Sequence, residues 1–277
     1  MTSQGFSEPA KKHLGQHFLH ERTVIDRIVR AVDPRPGEAL VEIGPGQGAI
    51  TFPLLRRDGA LTVIEFDRDL VAPLTAAADG LGSLRIINRD VLSVDFSALA
   101  RELSGAQSPR IRLVGNLPYN LSSPILFHAL DHAAAITDMV FMLQKEVVDR
   151  MAAGPGSKVY GRLGVMLQAF CTVIPLFTVP PGAFRPPPKV DSAVVRLVPL
   201  PADQVRVQDR ALFAQVVREA FGQRRKTLRN ALARTCDAAT LDAAGVSPKV
   251  RAEQVPVADF IALANHLARE GVRAGHG

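Results

Sequence analysis

Short apolar runs alternate with stretches of helical periodicity along much of the chain. The apolar runs lie at residues 39–43, 61–67, 84–90, 111–116 and 139–144. Helical spacing of apolar residues is found before or between them, at residues 23–32, 50–57, 69–78 and 124–132. Strands rich in β-branched residues that alternate with helices are typical of a mainly parallel α/β sheet. Two later runs, 173–180 and 192–199, are predicted to complete this sheet as a terminal antiparallel pair.

The pattern changes near residue 200, where the strand-like runs end. From Asp209 onward, apolar residues recur only at helical spacing, and Ser247 followed by Pro248 predicts the start of a helix. We therefore expect two domains. The first is an α/β domain with a basic N-terminal arm over residues 1–200, and the second is a small helical domain over residues 201–277.

Composition narrows the functional classes only slightly. Hydrophobic residues make up 47% of the chain, which is enough to bury a core. The N-terminal residues lack the apolar segment of a secretory signal, and the longest mostly apolar stretch, 164–179, predicts a buried helix leading into a strand rather than a membrane span. Cys171 and Cys236 fit neither a disulfide framework nor a metal site, which favours a cytoplasmic location and no metal. The net charge of +6 favours a polyanionic partner.

A glycine-rich turn follows the first apolar run. Gly44, Gly46 and Gly48 lead into a predicted helix, and glycine lets the backbone turn tightly and approach a ligand closely. The G-x-G-x-G spacing differs from the G-x-G-x-x-G of dinucleotide-binding turns, and an acid, Glu42, precedes it. S-adenosylmethionine has a cationic amino end and no phosphate, so Glu42 suits this cofactor better than a nicotinamide cofactor. The alternative is a plain strand-to-helix turn beside a solvated charge.

Two further acids end the second and third apolar runs. Carboxyl ends of parallel strands meet at one edge of a sheet, which is where ligands bind in open α/β folds. At that edge, Glu65 can accept hydrogen bonds from the hydroxyls of a ribose, and Asp90 can accept from an adenine amino group. The combination favours a nucleoside-binding pocket.

The fourth apolar run ends in Asn-Leu-Pro-Tyr at residues 116–119. The exocyclic N6 of adenine is a poor nucleophile because its lone pair is delocalised into the ring. Acceptors for its N–H groups would free the lone pair, and the Asn116 side chain and the Leu117 carbonyl, which Pro118 biases toward an extended conformation, can serve as acceptors. Tyr119 can stack on the base. The alternative is a turn after a buried strand, with Tyr119 in the core.

An adenine that leaves its stack to enter such a pocket needs a second side chain to stack on its other face, opposite Tyr119. Phe184 is the candidate, in the proline-rich stretch 183–189, where Lys189 can neutralise a nearby phosphate. The alternative is a proline-rich loop with Phe184 packed in the core.

Positive charge is concentrated in residues 218–234. Only one acid, Glu219, lies among the basic residues, which are Arg218, Arg224, Arg225, Lys226, Arg229 and Arg234. We expect a helix that binds RNA through phosphates and shape, and the alternative is a solvated surface helix. A second basic cluster lies near the N-terminus and consists of Lys11, Lys12 and His13. His128 and His132, four residues apart, are expected to pack or lie at the surface rather than bind a metal.

Taken together, these motifs resemble one known family. The chain carries G-Q-H-F-L at 15–19, E-I-G-P-G at 42–46, N-L-P-Y at 116–119, F-M-L-Q-K-E at 141–146, Y-G-R at 160–162, F-R-P-P-P-K-V-D-S-A at 184–193 and Q-R-R-K-T at 223–227. This set resembles the bacterial ribosomal RNA small-subunit adenine N6-dimethyltransferases of the KsgA type. The likeness extends from about residue 11 to about residue 270.

The resemblance implies a specific reaction. It implies a Rossmann-like methyltransferase sheet with a small C-terminal helical domain, and an enzyme that dimethylates the N6 of two adjacent adenines in the loop of a hairpin near the 3′ end of 16S rRNA. Separately from the resemblance, we expect a monomer. The substrate would be a late assembly intermediate of the small (30S) subunit. The methyl donor, S-adenosylmethionine, would be bound by His17, Leu19, Gly44, Glu65, Asp90 and Asn116, to which the glycine-rich turn adds Glu42 and Gly46. The family often has Asn at the position of His17.

Other classes of protein share some of these features. A related group methylates an adenine of large-subunit RNA, but the long helical C-terminal region and the run beginning at Phe184 favour the small-subunit type. DNA adenine methyltransferases usually carry a D-P-P-Y-type tetrad and a target-recognition insert, and the sequence has neither. A ribosome-assembly factor that acts mainly by binding is the third alternative. The intact N-L-P-Y and cofactor motifs favour retained catalysis, and we expect both roles.

Overall fold

The computed structural model describes residues 16–105, 109–223 and 225–275. Contacts between Cα atoms divide this chain into two compact units. The first contains the residues up to Val148 together with Ile174–Pro199, and the second contains Asp149–Val173 and the residues from Leu200 onward. In the part of the chain that the structure describes, no helix combines the length and the apolar character needed to cross a membrane.

The first unit is built on a twisted, mainly parallel sheet. The strands are, in chain order, β1 (Phe18–Leu19), β2 (Leu40–Ile43), β3 (Ala60–Glu65), β4 (Ser83–Asn88), β5 (Ile111–Asn116), β6 (Ile136–Gln144), β7 (Cys171–Val179), β8 (Phe184–Arg185) and β9 (Ser192–Pro199). Over the described residues, seven of them form one sheet in the order β4-β3-β2-β5-β6-β9-β7. Neighbours from β4 to β6 are parallel, and β9 is antiparallel to β6. The predicted α/β sheet is confirmed, and each predicted strand is present with ends shifted by at most about three residues.

Helices cover the sheet of the first unit and make up most of the second. They are α1 (Arg22–Val32), α2 (Thr51–Asp58), α3 (Val71–Ala77), α4 (Phe96–Ser104), α5 (Ser122–Asp131), α6 (Lys145–Ala152), α7 (Arg162–Gln168), α8 (Arg210–Gly222), α9 (Leu228–Ala231), α10 (Ala238–Ala243) and α11 (Val257–Arg269). The helices predicted at α1, α2, α3 and α5 are confirmed, as is the helix α7 that precedes β7. The sequence reasoning did not predict α4 or α6.

Helix α1 shows how the apolar pattern determines the packing. Its apolar residues at helical spacing, including Val24, Ile28 and Val32, are buried on one face. The Glu21 side chain accepts a hydrogen bond from Thr23 N at the start, and Asp33, with a φ of 46°, ends the helix. The helix therefore has defined ends and one face committed to the core.

A buried guanidinium ties α1 to the sheet at the amino end of β5. Arg112 donates from Nε and Nη2 to the two carboxylate oxygens of Asp138 on β6, at 2.7 and 3.0 Å. Its Nη2 also donates to Val32 O at 2.6 Å, and Nη1 donates to Asp33 O and to Glu38 Oε2. Because Arg112 satisfies carbonyls at the C-terminus of α1 and a carboxylate of the next strand, one side chain fixes the helix relative to the strands.

In the second unit, the apolar face predicted from Asp209 onward is confirmed. Leu212, Phe213, Val216, Val217 and Ala220 of α8 are all buried. Asp209 caps the helix by accepting from Leu212 N at 2.9 Å. The chain segment 149–173 belongs to the same unit, and there the buried Tyr160 hydroxyl donates to Val255 O at 2.8 Å.

The helix predicted to start at Ser247 and Pro248 is absent, and that prediction is wrong. These residues lie in a turn before a short 3-10 helix, Ala252–Gln254. Leu228 N donates to Val250 O at 2.8 Å and Arg229 N donates to Pro248 O at 3.1 Å. The carbonyls after Ser247 thus satisfy the unpaired N–H groups at the start of α9 instead of forming their own helix.

Replacing Arg112 by Ala should lower the free energy of unfolding by about 3 kcal/mol, because the buried Asp138 would lose both of its hydrogen bonds from Arg112 and keep only the longer ion pair with Arg196, at 3.5 Å. Urea denaturation followed by circular dichroism measures the change. Arg85→Ala is the matched control. It removes an arginine–carboxylate pair whose side chains are 44% and 58% exposed, and such pairs contribute less than about 1 kcal/mol. Equal losses for the two variants would contradict the role assigned to Arg112.

Candidate cofactor and substrate site

A pocket of about 260 Å³ opens at the carboxyl ends of the parallel strands in the first unit. It is lined by residues that follow β2, β3, β4 and β5 and by the segment around β1. The lining includes these predicted site residues: His17, Leu19, Glu42, Gly44, Gly46, Glu65, Asp90, Asn116, Leu117, Pro118 and Tyr119. The structure therefore brings together residues that lie far apart in the sequence, such as His17 and Asn116, which are 99 positions apart.

The turn after β2 needs its glycines. Gly44, Gly46 and Gly48 have φ angles of 67°, 57° and 80°, in the left-handed region that other residues rarely adopt. A Cβ atom at Gly48 would lie 2.2 Å from the Phe52 ring. Gly44 N donates to Ile64 O at 2.9 Å, so the turn is fixed to the end of β3.

Glu65 at the end of β3 is held in a defined position. It is buried, with Oε1 accepting from Asp67 N at 2.8 Å and Oε2 accepting from Gly46 N at 3.3 Å. Burial raises the pKa of this carboxyl group, and the same two N–H groups act in the opposite direction. The carboxylate is thus aimed by the backbone at the pocket edge, where it can accept from vicinal hydroxyls.

Glu42 on β2 is 1% exposed and forms part of the pocket wall. Burial raises the pKa of its carboxyl group to about 8, the Thr51 hydroxyl lowers it and the Glu65 charge raises it further. Among the described residues, neither Glu42 Oε2 nor the Thr51 hydroxyl has a hydrogen bond of normal geometry. A buried oxygen without a partner is costly, and a bound cation would supply the partner. This arrangement fits the ammonium group of S-adenosylmethionine.

Asp90 follows β4 and is exposed at the pocket rim. Its Oδ1 accepts from Leu92 N at 2.9 Å and caps the short 3-10 helix Val91–Ser93. The cap fixes the orientation of the carboxylate, and the second oxygen can accept from an adenine amino group.

Asn116, the last residue of β5, has a defined amide orientation. Its Nδ2 donates to His17 O at 3.2 Å, so Oδ1 is the atom that can accept from a ligand N–H. The Tyr119 hydroxyl is hydrogen-bonded to Ser192 Oγ at 2.8 Å. Burial raises the pKa of Tyr119, which keeps the phenol neutral. The side chains predicted to receive and stack on a base are therefore both held in place.

Gly115, immediately before Asn116, was missed by the sequence reasoning. A Cβ atom here would lie 2.4 Å from Ile43 O at the end of β2. The glycine therefore permits the close approach of β5 to β2 beside the pocket. The available signal was a glycine within a strand just before a polar residue, which often marks such an approach.

The structure corrects the prediction that Phe184 forms a wall for a flipped base. Phe184 is 2% exposed and lies in the hydrophobic core, opposite Leu19 in the antiparallel pair of β1 and β8. The pairing of these short strands turns its ring into the core, so it is not part of the pocket lining. The ring beside Tyr119 is His17, at 5.7 Å between centroids and an angle of 27°.

The basic segment 218–234 is not one helix, which corrects the sequence prediction. Helix α8 ends at Gly222, Arg225 and Lys226 lie in a turn, and α9 begins at Leu228. The described basic residues of the segment are all exposed, namely Arg218, Arg225, Lys226, Arg229 and Arg234. Arg224, Lys11, Lys12 and His13 lie outside the described residues. In the first unit, Lys189 is exposed in the loop between β8 and β9.

His128 in α5 and His132, the residue that follows this helix, have packing roles. His128 Nε2 is bonded to Val94 O at 2.8 Å, and His132 Nδ1 is bonded to Ser97 Oγ at 2.9 Å. Both rings pack against Phe96. Within the described ranges, no group of three or more His, Cys, Asp or Glu side chains is arranged to hold a metal ion.

Comparisons with known proteins identify the family of the chain. The family model described as Ribosomal RNA adenine dimethylase matches residues 7–269. A protein of Xanthomonas campestris pv. campestris (strain B100), named Ribosomal RNA small subunit methyltransferase A, is 73% identical over 95% of this chain and 98% of its own. The crystal structure of a dimethyladenosine transferase from Plasmodium falciparum has a TM-score of 0.79 at 23% identity, covering 94% of this chain and 100% of that one.

The crystal structure of the 23S rRNA methyltransferase ErmE has a TM-score of 0.68 at 26% identity, covering 91% of this chain and 99% of that one. The family match spans nearly the whole chain, and the glycine-rich turn, the three acids and the N-L-P-Y segment meet in one pocket. The chain therefore belongs to the ribosomal RNA adenine dimethylase family and is an S-adenosylmethionine-dependent methyltransferase.

Proposed function

We propose that the protein dimethylates the N6 atoms of two adjacent adenines in the 3′-terminal hairpin loop of 16S rRNA. The observation that carries this proposal is the fixed amide of Asn116, whose Oδ1 is left to accept from an amino group at the rim of the pocket. The name of the 73% identical Xanthomonas relative supports the small subunit as the source of the RNA. The choice of hairpin loop, and a role in late assembly of the 30S subunit, rest on the motif resemblance.

The residues of the pocket divide between cofactor and base. Glu65 would accept from the ribose hydroxyls, Asp90 from the adenine amino group and Glu42 from the ammonium group of S-adenosylmethionine. The backbone of Gly44 and Gly46 permits the close approach, and His17 and Leu19 close the pocket from the N-terminal side. When bound, the cofactor supplies an electrophilic methyl group.

Asn116 and Leu117 would act on the target adenine. In the first transfer, the Asn116 Oδ1 and the Leu117 carbonyl accept from the two N–H groups of N6, which frees the nitrogen lone pair. In the second transfer, the single remaining N–H donates to one of these acceptors. Tyr119, held by Ser192, stacks on the base. Because these acceptors are in place before the base arrives, no reorganisation is needed when charge develops on N6. The amine becomes acidic once it is methylated, so no strong base is required.

The RNA would be held mainly through its phosphates. Arg225, Lys226 and Arg229 of the second unit are exposed, and we propose that they and Arg224 contact phosphates. In the first unit, the exposed Lys189 is proposed to contact a phosphate by itself. On this view, residues 1–200 form the catalytic domain and residues 201–277 bind RNA and the ribosome. We place the protein in the cytoplasm as a monomer that acts on an assembly intermediate of the 30S subunit.

Transfer of labelled methyl groups to small subunits from a strain lacking this modification tests the proposal, with mass spectrometry of the RNA digest to identify the product. Dimethyladenosine in the 3′-terminal hairpin is the expected result. The likeness to ErmE makes large subunits the matched alternative substrate. Label confined to large-subunit RNA would overturn the proposed substrate. Tight binding to small subunits without any transfer would instead favour an assembly role without catalysis.

Asn116→Ala should reduce kcat for methyl transfer by at least about a hundredfold, because the variant lacks an acceptor that is preorganised for the transition state. Single-turnover transfer to small subunits measures the effect. Asn230→Ala, which truncates an exposed asparagine of α9, is the control and should retain normal kcat. Near-normal turnover of Asn116→Ala would remove the catalytic role assigned to this residue.

Glu42→Gln should change the pH dependence of stability in the absence of cofactor. The pKa of Glu42 is raised from 4.5 to about 8, so between these values the folded protein retains a proton that the unfolded chain has lost. Stability of the wild type therefore falls as pH rises through this window, and the Gln variant lacks that fall. Melting temperatures from pH 5 to pH 9 should diverge in favour of the variant.

The same pair of proteins tests the binding role of Glu42. S-adenosylhomocysteine, which carries the same ammonium group, should raise the melting temperature of the wild type more than that of Glu42→Gln. Glu102→Gln, at an exposed carboxylate, is the control for both measurements. Parallel stability curves for wild type and Glu42→Gln would show that burial does not shift this group.

Replacing Arg225, Lys226 and Arg229 together by Ala should weaken RNA binding at every sequence and reduce the dependence of log K on log salt by about one unit per lost phosphate contact. Binding of the 3′-terminal hairpin between 50 and 200 mM salt, measured by fluorescence anisotropy, gives the slope. Arg101→Ala, at an exposed arginine of α4, is the control. An unchanged slope in the triple variant would exclude these residues from the interface.

A further inference from the structure

His17 makes contacts that none of its assigned roles uses. We propose that His17 is a positioning residue for methyl transfer. Its imidazole ties the segment before β1 to the loop after β8, and its backbone carbonyl thereby fixes the catalytic amide of Asn116. This inference rests on the proposed N6 chemistry, and it goes beyond the cofactor contact that the family resemblance implies for this position.

The first contact decides which way the Asn116 amide faces. A backbone carbonyl can only accept, so the 3.2 Å contact from Asn116 to His17 O requires the NH2 end of the amide. Oδ1 is then the end that can receive an adenine N–H. With the amide reversed, its NH2 group would meet the amino group of the base, donor against donor. The productive orientation therefore depends on the position of the carbonyl of residue 17.

The second contact helps to hold the segment that carries this carbonyl. His17 Nδ1 is 2.8 Å from Pro186 O, and because a carbonyl accepts, Nδ1 carries the proton and donates. Next to this bond, β1 and β8 pair over only two residues each, with Phe18 opposite Arg185 and Leu19 opposite Phe184. So short a ladder is weak by itself. The hydrogen bond from His17 Nδ1 to Pro186 O extends the pairing by one residue, to His17, whose carbonyl accepts from Asn116.

The third contact places the same ring beside the base-stacking residue. The His17 and Tyr119 rings are 5.7 Å apart at 27°, within the range of favourable aromatic pairs. The other end of Tyr119 is fixed by Ser192. Through its ring and its backbone carbonyl, His17 therefore links the proline-rich loop to both side chains that are proposed to act on the adenine.

Substitutions can separate the bond to Pro186 from the ring contact. His17→Asn and His17→Gln keep an amide donor and lose the aromatic ring. His17→Phe keeps the ring and loses the donor, and His17→Ala loses both. We expect kcat for methyl transfer to fall about tenfold or more in His17→Ala and His17→Phe. We expect at least one of the amide variants to retain most of the wild-type kcat.

Binding measurements distinguish positioning from a cofactor contact. The affinity for the RNA should change less than about threefold in all four variants, and the loss of kcat in His17→Ala and His17→Phe should persist at saturating S-adenosylmethionine. Binding of S-adenosylhomocysteine also shows that each variant is folded. A rise in KM for S-adenosylmethionine with unchanged kcat would assign the side chain to the cofactor and overturn the proposal. Full activity of His17→Phe would overturn it as well, because the bond to Pro186 would then carry no effect.

A double-mutant cycle tests whether the effect passes through Asn116. In the Asn116→Ala background, His17→Ala should cause little further loss of kcat, since the group that it positions is gone. Fully additive losses would contradict the proposal. All comparisons use whichever ribosomal RNA the wild type methylates. A change of substrate would therefore overturn the proposed function without affecting this test.

Discussion

The parallel register of β3, β2 and β5 is the constraint on which the rest of the site depends. Glu42 lies level with Val63 on one neighbouring strand and with Val114 on the other. Hydrogen bonding between the strands therefore brings the residues that follow each one to the same edge of the sheet. The close approach at Gly115 and the buried guanidinium at the opposite end of β5 keep this register. The pocket is lined mainly by residues at the carboxyl ends of these strands.

Much of this arrangement can be predicted because it is encoded locally. The apolar runs predict the strands. A polar residue at the end of a run is then expected at the carboxyl edge of the sheet, and this rule correctly places Glu65, Asp90 and Asn116 together in the pocket lining. The errors come from long-range pairing. Two-residue strands such as β8 are too short to produce a periodic pattern, so the sequence could not reveal that Phe184 enters the core. The basic segment after Gly222 follows no single helix because its next helix is started by carbonyls from residues 248–250.

The distribution of charge favours the cofactor and the RNA at different places on the protein. The chain carries a net charge of +6, yet the described pocket is lined by the acids Glu42, Glu65 and Asp90. A cationic cofactor is favoured inside such a pocket, whereas RNA phosphates are favoured at exposed arginines and lysines. Burial disfavours the charged form of Glu42, and the negative charge of the neighbouring Glu65 disfavours it further. A bound cation would offset both effects.

The bond between His17 and Pro186 also has a consequence for synthesis. Its two partners are separated by 169 residues, so the ribosome makes the first long before the second. At about 5–20 residues per second, this interval is on the order of ten seconds or more. During that time the nascent chain can form the strands around the pocket, while the Asn116 amide would still lack the orientation that we propose His17 gives it. On this proposal, competence for methylation is a late event of co-translational folding and requires most of the first unit.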